Sequence, residues 1–201
     1  MKTKLLISLS LAAFAWGSAP ATMAFAQETS SISKSQRNDE ASTYTTEEIV
    51  GAGHRFFGKT TRGLADAVEY VFQNQGEPTA YIVGEEGSGA IIGGLRYGEG
   101  TIYYKSGISQ RIYWQGPSVG FDFGGNGSRS LVLVYNSDSP RDLYKRFPGV
   151  EGSAYFIGGV GVNFQKNQDI VLAPIRSGVG ARLGANVGYL KYSRKPNWNP
   201  F

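Results

Sequence analysis

The chain has 201 residues, a formal net charge of +4, 28 glycines, one histidine and no cysteine. The absence of cysteine excludes disulfides, thiol catalysis and cysteine-based metal sites, and a lone histidine, His54, excludes a multi-histidine site. A mean hydropathy of −0.24 argues against a helical membrane protein, and setting aside Lys2 and Lys4, which fall in a leader, lowers the charge to +2, too weak a field for nucleic-acid binding.

Residues 1–26 read as a secretory signal peptide. Lys2 and Lys4 form the positive start, Leu5 to Trp16 the apolar stretch, and Ala24-Phe25-Ala26 a small-x-small site that predicts cleavage between Ala26 and Gln27. The competing reading is a retained N-terminal anchor, although the apolar stretch is short for a span. The expected location is a bacterial periplasm. Residues 27–43 are polar and read as a flexible linker. One domain is expected over 44–201.

Thr45 with Glu48 three residues on is a capping-box pattern, and a short helix through Ile49 and Ala52 is expected to end near Gly53. A second helix is expected over Thr61 to Gln75, with Leu64, Ala67, Val68, Val71 and Phe72 in one apolar stripe, stopped by Gly76 and Pro78. Gly53 to Thr60 matches the phosphate-loop spacing G-x-x-x-x-G-K-[ST]. It lacks the preceding buried strand, and Phe56 and Phe57 fill its centre, so it reads as a chance match with the two rings as core anchors.

From Ala80 the pattern is β. Short aromatic and β-branched runs alternate with glycines. Strands are expected near 80–85, 88–97, 100–106, 110–115, 118–123, 129–136, 153–164, 169–176 and 181–192. Turns are expected at Glu86-Gly87-Ser88, Gly98-Glu99-Gly100, Ser106-Gly107, Gly116-Pro117 and Gly124 to Gly127. Ser139 before Pro140 predicts a short helix near 139–146. The fold class is mainly β: a small closed antiparallel barrel of about eight strands, its curvature supplied by glycine.

Chemistry is sparse. Glu85 and Glu86 are adjacent and read as turn carboxylates. Asp122 faces solvent or pairs with an arginine inside the barrel. Arg96, Arg111, Arg129, Arg176 and Arg182 lie on or beside strands; they form separate ion pairs, or cluster at a barrel mouth to grip an anionic group. Trp114 with Tyr97, Tyr103, Tyr104 and Tyr113 could stack on sugars or line an acyl pocket, although core packing suits each alone. His54 reads as a hydrogen-bonded packing residue. The pairs Gly159-Val160-Gly161 and Gly178-Val179-Gly180 lack dinucleotide-site spacing. No convergent nucleophile or acid–base set is visible; no cofactor, metal or enzyme activity is expected.

Several words together resemble the envelope integrity protein A family of alphaproteobacteria. They include Gly84-Glu85-Glu86-Gly87-Ser88-Gly89-Ala90, Gly94-Leu95-Arg96-Tyr97-Gly98, Tyr113-Trp114-Gln115-Gly116-Pro117-Ser118, Arg146-Phe147-Pro148-Gly149-Val150, the run Pro174 to Gly184, and Trp198-Asn199-Pro200-Phe201. The resemblance covers about 44–201. It implies a periplasmic barrel with a role in envelope integrity and stress resistance, linked to lipopolysaccharide O-polysaccharide, and brings no catalytic residue. A weaker likeness, Trp114-x-x-Pro117-x-x-x-Phe121 with Leu131 to Asn136, is similar to the SYLF lipid-binding proteins. A lipid, lipopolysaccharide or glycan is therefore the candidate ligand, with Arg96, Tyr97, Trp114, Arg176 and Arg182 as candidate binding residues. An integral outer-membrane barrel is a competing reading, which Pro196 and Pro200 near the C-terminal Phe201 oppose. An envelope hydrolase is another.

Overall fold

Among the described residues, two helices precede a single curled antiparallel sheet. The computed structural model describes residues 42–58, 63–89, 95–117, 128–177, 188–197 and 199. The expected signal peptide with Ala26 and Gln27, the linker up to residue 41, the strand expected at 118–123 with Asp122, and Arg182 lie outside the described residues.

Helix α1 (Thr46–Phe57) opens with the expected capping box: the Thr45 backbone N–H donates to Glu48 at 3.0 Å, and the Glu48 N–H donates to the Thr45 hydroxyl at 3.4 Å. It continues past Gly53, where its end was expected, to a stop at Gly58. Gly53 is an interhelical contact instead of a terminator. An added Cβ would lie 2.6 Å from the Leu64 side chain, so only glycine lets the second helix come this close. The phosphate-loop match thus begins inside a helix. Helix α2 (Leu64–Gln75) is shorter than expected at its start and buries Leu64, Ala67, Val68 and Val71, the predicted stripe. Gly76 ends it at φ +78°.

The strands are β1 (Ala80–Gly89), β2 (Leu95–Tyr104), β3 (Ser109–Pro117), β4 (Ser128–Tyr135), β5 (Arg146–Pro148), β6 (Tyr155–Ile157), β7 (Val160–Val162), β8 (Gln165–Asn167), β9 (Ile170–Ser177) and β10 (Tyr189–Ser193). The sheet order is β5-β10-β3-β2-β1-β4-β9-β7-β6, with β8 also pairing β9. Its curl brings β5 round to β8. Gly149, just after β5, bridges Gln165, and the Val150 N–H donates to the Phe164 carbonyl at 2.9 Å. Eight strands therefore follow one another round the curl, as expected, but the seam between β5 and β8 is a bridge and not a full ladder.

The curl is also visible in the core. Ala80, Ile82, Ile102, Ile112, Trp114, Val132, Val134, Phe147, Leu172, Leu190 and Tyr192 come from seven strands yet form one buried cluster. Only a sheet wrapped round them allows that. The opposite face of β4, β7 and β9 presents Leu131, Leu133, Val160, Val162, Ala173 and Ile175 to the helical stripes. The helices thus cover the outside of the barrel. Arg129 and Lys105 pin α1 there, donating to the Phe56 carbonyl at 3.1 Å and to Glu48 at 2.6 Å.

Several boundaries differ from expectation for one reason: glycines read as turns are strand residues. Glu86-Gly87-Ser88 lies within β1, and Gly98-Glu99-Gly100 within β2. Gly84 and Gly98 face inward and leave room for Trp114. An added Cβ at Gly84 would lie 2.6 Å from the indole, and one at Gly98 would overlap it. Conversely, the strand expected over 153–164 is a hairpin, because Gly158 and Gly159 both take positive φ, at 56° and 91°. The expected helix near 139–146 is a single 3-10 turn, Pro140–Leu143, with the Ser139 N–H donating to Asp142 at 2.9 Å. Arg146, at the end of that expected helix, belongs to β5 with Phe147 and Pro148. Thr43, expected in the linker, donates to Glu77 at 2.6 Å. His54 packs in the helix, but its Nδ1 has no hydrogen-bond partner among the described residues.

The inward glycines carry a prediction. Gly98→Ala overpacks the indole and lowers stability by about 1–3 kcal/mol. Gly87→Ala, where an added Cβ meets nothing within 4 Å, stays within about 0.5 kcal/mol of the parent. Urea unfolding of the two variants checks this, and equal midpoints would remove the packing role assigned to Gly98.

Candidate functional site

Strand β1 alternates inward and outward. Ala80, Ile82 and Gly84 face the interior, and the next inward residue is Glu86, only 4% exposed. A buried carboxylate is costly unless it is paired and hydrogen-bonded. Its cross-strand neighbours are small: Ser128 on β4 and Gly98 on β2. One strand further, Trp114 lies opposite Gly98 and reaches across it, and its indole N–H donates to Glu86 Oε1 at 3.0 Å. From the other side, Arg176 on β9 lies opposite Ser130 and donates to Glu86 from Nε at 2.9 Å and from Nη2 at 3.3 Å. Arg96 on β2 completes the group, with its Nε 3.6 Å from Oε2. Arg176 Nη1 donates to Asn163 Oδ1 at 2.6 Å. The Tyr192 ring lies over Trp114 with centroids 6.0 Å apart.

Burial alone would raise the Glu86 pKa. Arg176, then Arg96, and the hydrogen bonds from Arg176 and Trp114 outweigh it and hold the carboxyl below its usual range. Burial drives the Tyr192 phenol upward, so it stays neutral. At neutral pH Glu86 is therefore an ionised hub whose two oxygens are both engaged. The Arg176 fork is likewise taken up by Glu86 and Asn163.

The outer face carries a different set. Glu85 points outward, 3.7 Å from Arg129, and Glu99 lies 3.4 Å from Arg111, all four well exposed. Beside them is a cavity of about 510 Å³, lined among others by Glu85, Tyr97, Glu99, Tyr113 and Gln115, with Pro196 and Asn197 of the tail at its edge. Three adjacent cross-strand rows border it: Glu85–Glu99–Tyr113, Gly87–Tyr97–Gln115 and, between them, Glu86–Gly98–Trp114 of the buried cluster.

Of the candidate residues, the structure thus brings Arg96, Trp114 and Arg176 together around Glu86. Tyr97 is not with them; one position along β2 from Arg96, it faces the outer cavity. Glu86 was read as a turn carboxylate, and β1 extends through it. Its place in the series Ala80, Ile82, Gly84, Glu86 was the available signal. Asn163, between β7 and β8, gave no such signal. The exposed pairs Arg129–Glu85 and Arg111–Glu99 match the separate-ion-pair reading, whereas Arg96 and Arg176 share one carboxylate.

Because the folded pKa of Glu86 is depressed, its stabilisation is present above the ordinary value of 4.5 and is lost as pH falls through the lower folded value. Glu86→Gln leaves two guanidinium groups without their counter-charge and costs about 3–5 kcal/mol at neutral pH. Urea unfolding at descending pH should bring the parent toward the variant. A gap that does not narrow would show that the ion cluster does not supply the difference.

The model of the envelope integrity protein A family matches residues 42–201. No curated protein matches the chain. Among solved structures, the chain is similar to a beta-barrel-like, uncharacterized protein from Brucella abortus, with 61% identity, a TM-score of 0.73, and coverage of 80% of this chain and 99% of that one. The match spans both helices, the curled sheet, the Glu86 cluster and the outer cavity, and the chain belongs to the envelope integrity protein A family.

Proposed function

We propose that this protein is an exported, periplasmic, non-catalytic barrel that supports the cell envelope by binding a lipid or glycan component of it, with a functional link to lipopolysaccharide and its O-polysaccharide. The family supplies the envelope-integrity role. The signal-peptide pattern of residues 1–26 supports export. The observation that carries the binding reading is a cavity of about 510 Å³ that reaches from the outer rows to the edge of the Glu86 cluster. Its lining is aromatic, amide and carboxylate side chains, and the one buried carboxylate among the described residues, Glu86, borders it while held by its own arginines.

Two competing readings fit less well. A membrane-spanning barrel needs an apolar outer band and a polar lumen. Here the interior is the apolar cluster around Ile82, Ile112 and Leu172, and the outer face bears Glu85, Glu99, Arg111 and Arg129. A hydrolase needs a free acid–base pair, and Glu86 is held ionised between arginines.

Deletion of the gene should raise sensitivity to detergent and to membrane-active cations, with rescue by the parent chain. A cleaved chain recovered in the periplasmic fraction is the expected location. Unchanged detergent survival in the deletion strain, or recovery in the cytoplasm, would sink the proposal.

A further inference from the structure

Within that binding reading, the geometry points to a ligand class: the outer cavity takes an uncharged or amine-bearing glycan segment, and not the anionic head group of a lipid. At about 510 Å³ the cavity falls within the range of small-molecule sites, roughly 300–1,000 Å³. Its two tyrosines are diagonal neighbours, since Tyr97 pairs with Gln115 and Tyr113 with Glu99. Each offers a ring and a hydroxyl, matching the apolar C–H face and polar rim of a pyranose.

Gln115 supplies the second, independent observation. It is 1% exposed, it lines the cavity, and its side-chain Nε2 has no hydrogen-bond partner among the described residues. A buried amide donor left without an acceptor is costly. A sugar hydroxyl or ring oxygen in the cavity would accept from it.

Charge selects among ligands. Glu85 and Glu99 are directly opposed across β1 and β2, an arrangement that destabilises a sheet. Both line the cavity, while their partners Arg129 and Arg111 are not among its walls. An entering phosphate would meet carboxylates. A hydroxyl or ammonium group would donate to them. Gly87 beside Tyr97 opens the end of the row, because nothing stands within 4 Å of where its Cβ would be.

The test uses the purified chain on an array of bacterial glycans, followed by titration of the best neutral or amine-bearing hit and of vesicles containing phosphatidylglycerol. Saturable binding of a neutral or amine-bearing glycan is expected. Gly87→Leu, whose Cβ enters open space at the cavity wall, and Tyr97→Ala should each weaken it at least about tenfold, or 1.4 kcal/mol. Lys166→Ala, an exposed β8 residue that neither lines the cavity nor pairs with a wall residue, should leave it within about twofold. Failure of every neutral and amine-bearing glycan, indifference to Gly87→Leu and Tyr97→Ala, or vesicle binding that Gly87→Leu removes would each overturn the glycan assignment. These outcomes are separable from failure of the envelope role. A deletion strain with normal detergent resistance refutes that role, whereas an array without hits leaves it standing.

Discussion

One buried carboxylate constrains much of this barrel. Glu86 sits where an apolar side chain would otherwise continue the inward row of β1, and a lone charge there would be untenable. Everything adjacent follows from keeping it paired. Arg176 and Trp114 must each reach across an intervening strand, so the residues beneath them are Ser130 and Gly98. The indole then occupies the space that Gly84 leaves open. Replacing the group by matched apolar residues could leave stability unchanged. What the ions add is register. A slip of β1 by one residue would put Glu85 inside and send Glu86 outward, abandoning four polar contacts at once.

That constraint explains what could and could not be read from sequence. The α2 stripe was legible because one face of an isolated helix records its burial at a period close to 3.6. The β content was legible from its aromatic and β-branched runs. The strand ends around 86–100 were not, because glycine means either a turn or a space for a neighbour's ring, and the two readings share one letter. Gly98 belongs to the second kind, and the ring it accommodates lies sixteen positions away at Trp114. The Gly158-Gly159 turn went unread for the opposite reason, hidden inside a stretch that looked like one strand.

Of the candidate site, the arginines and Trp114 stood out as distinctive words. Their common target did not, because Glu86 was assigned to a turn. Once β1 is known to run through Gly89, the alternation assigns Glu85 outward and Glu86 inward without further information. Asn163 is different. It lies between two short strands, and its contact with Arg176 depends on the closure of the barrel, which local sequence does not encode.

Adjacent residues therefore serve opposite ends. Glu85 and Glu86 share a sequence word but face different dielectrics: one is half-screened by water with Arg129, the other is locked among Arg176, Arg96 and Trp114. The same split separates Arg96 from Tyr97 and Trp114 from Gln115. In each pair the inward member holds the barrel and the outward member lines the cavity, which Glu86 and Trp114 also border. A strand built this way couples the two faces rigidly, since no inward side chain can move without shifting the backbone that positions its neighbour. The outer cavity is accordingly shaped by the interior ion cluster, whose Glu86 and Trp114 border it between the rows Glu85–Glu99–Tyr113 and Gly87–Tyr97–Gln115. A distinctive sequence word in such a fold is a joint statement about both faces, since the side chains that make the barrel stable also border the place where a ligand would sit.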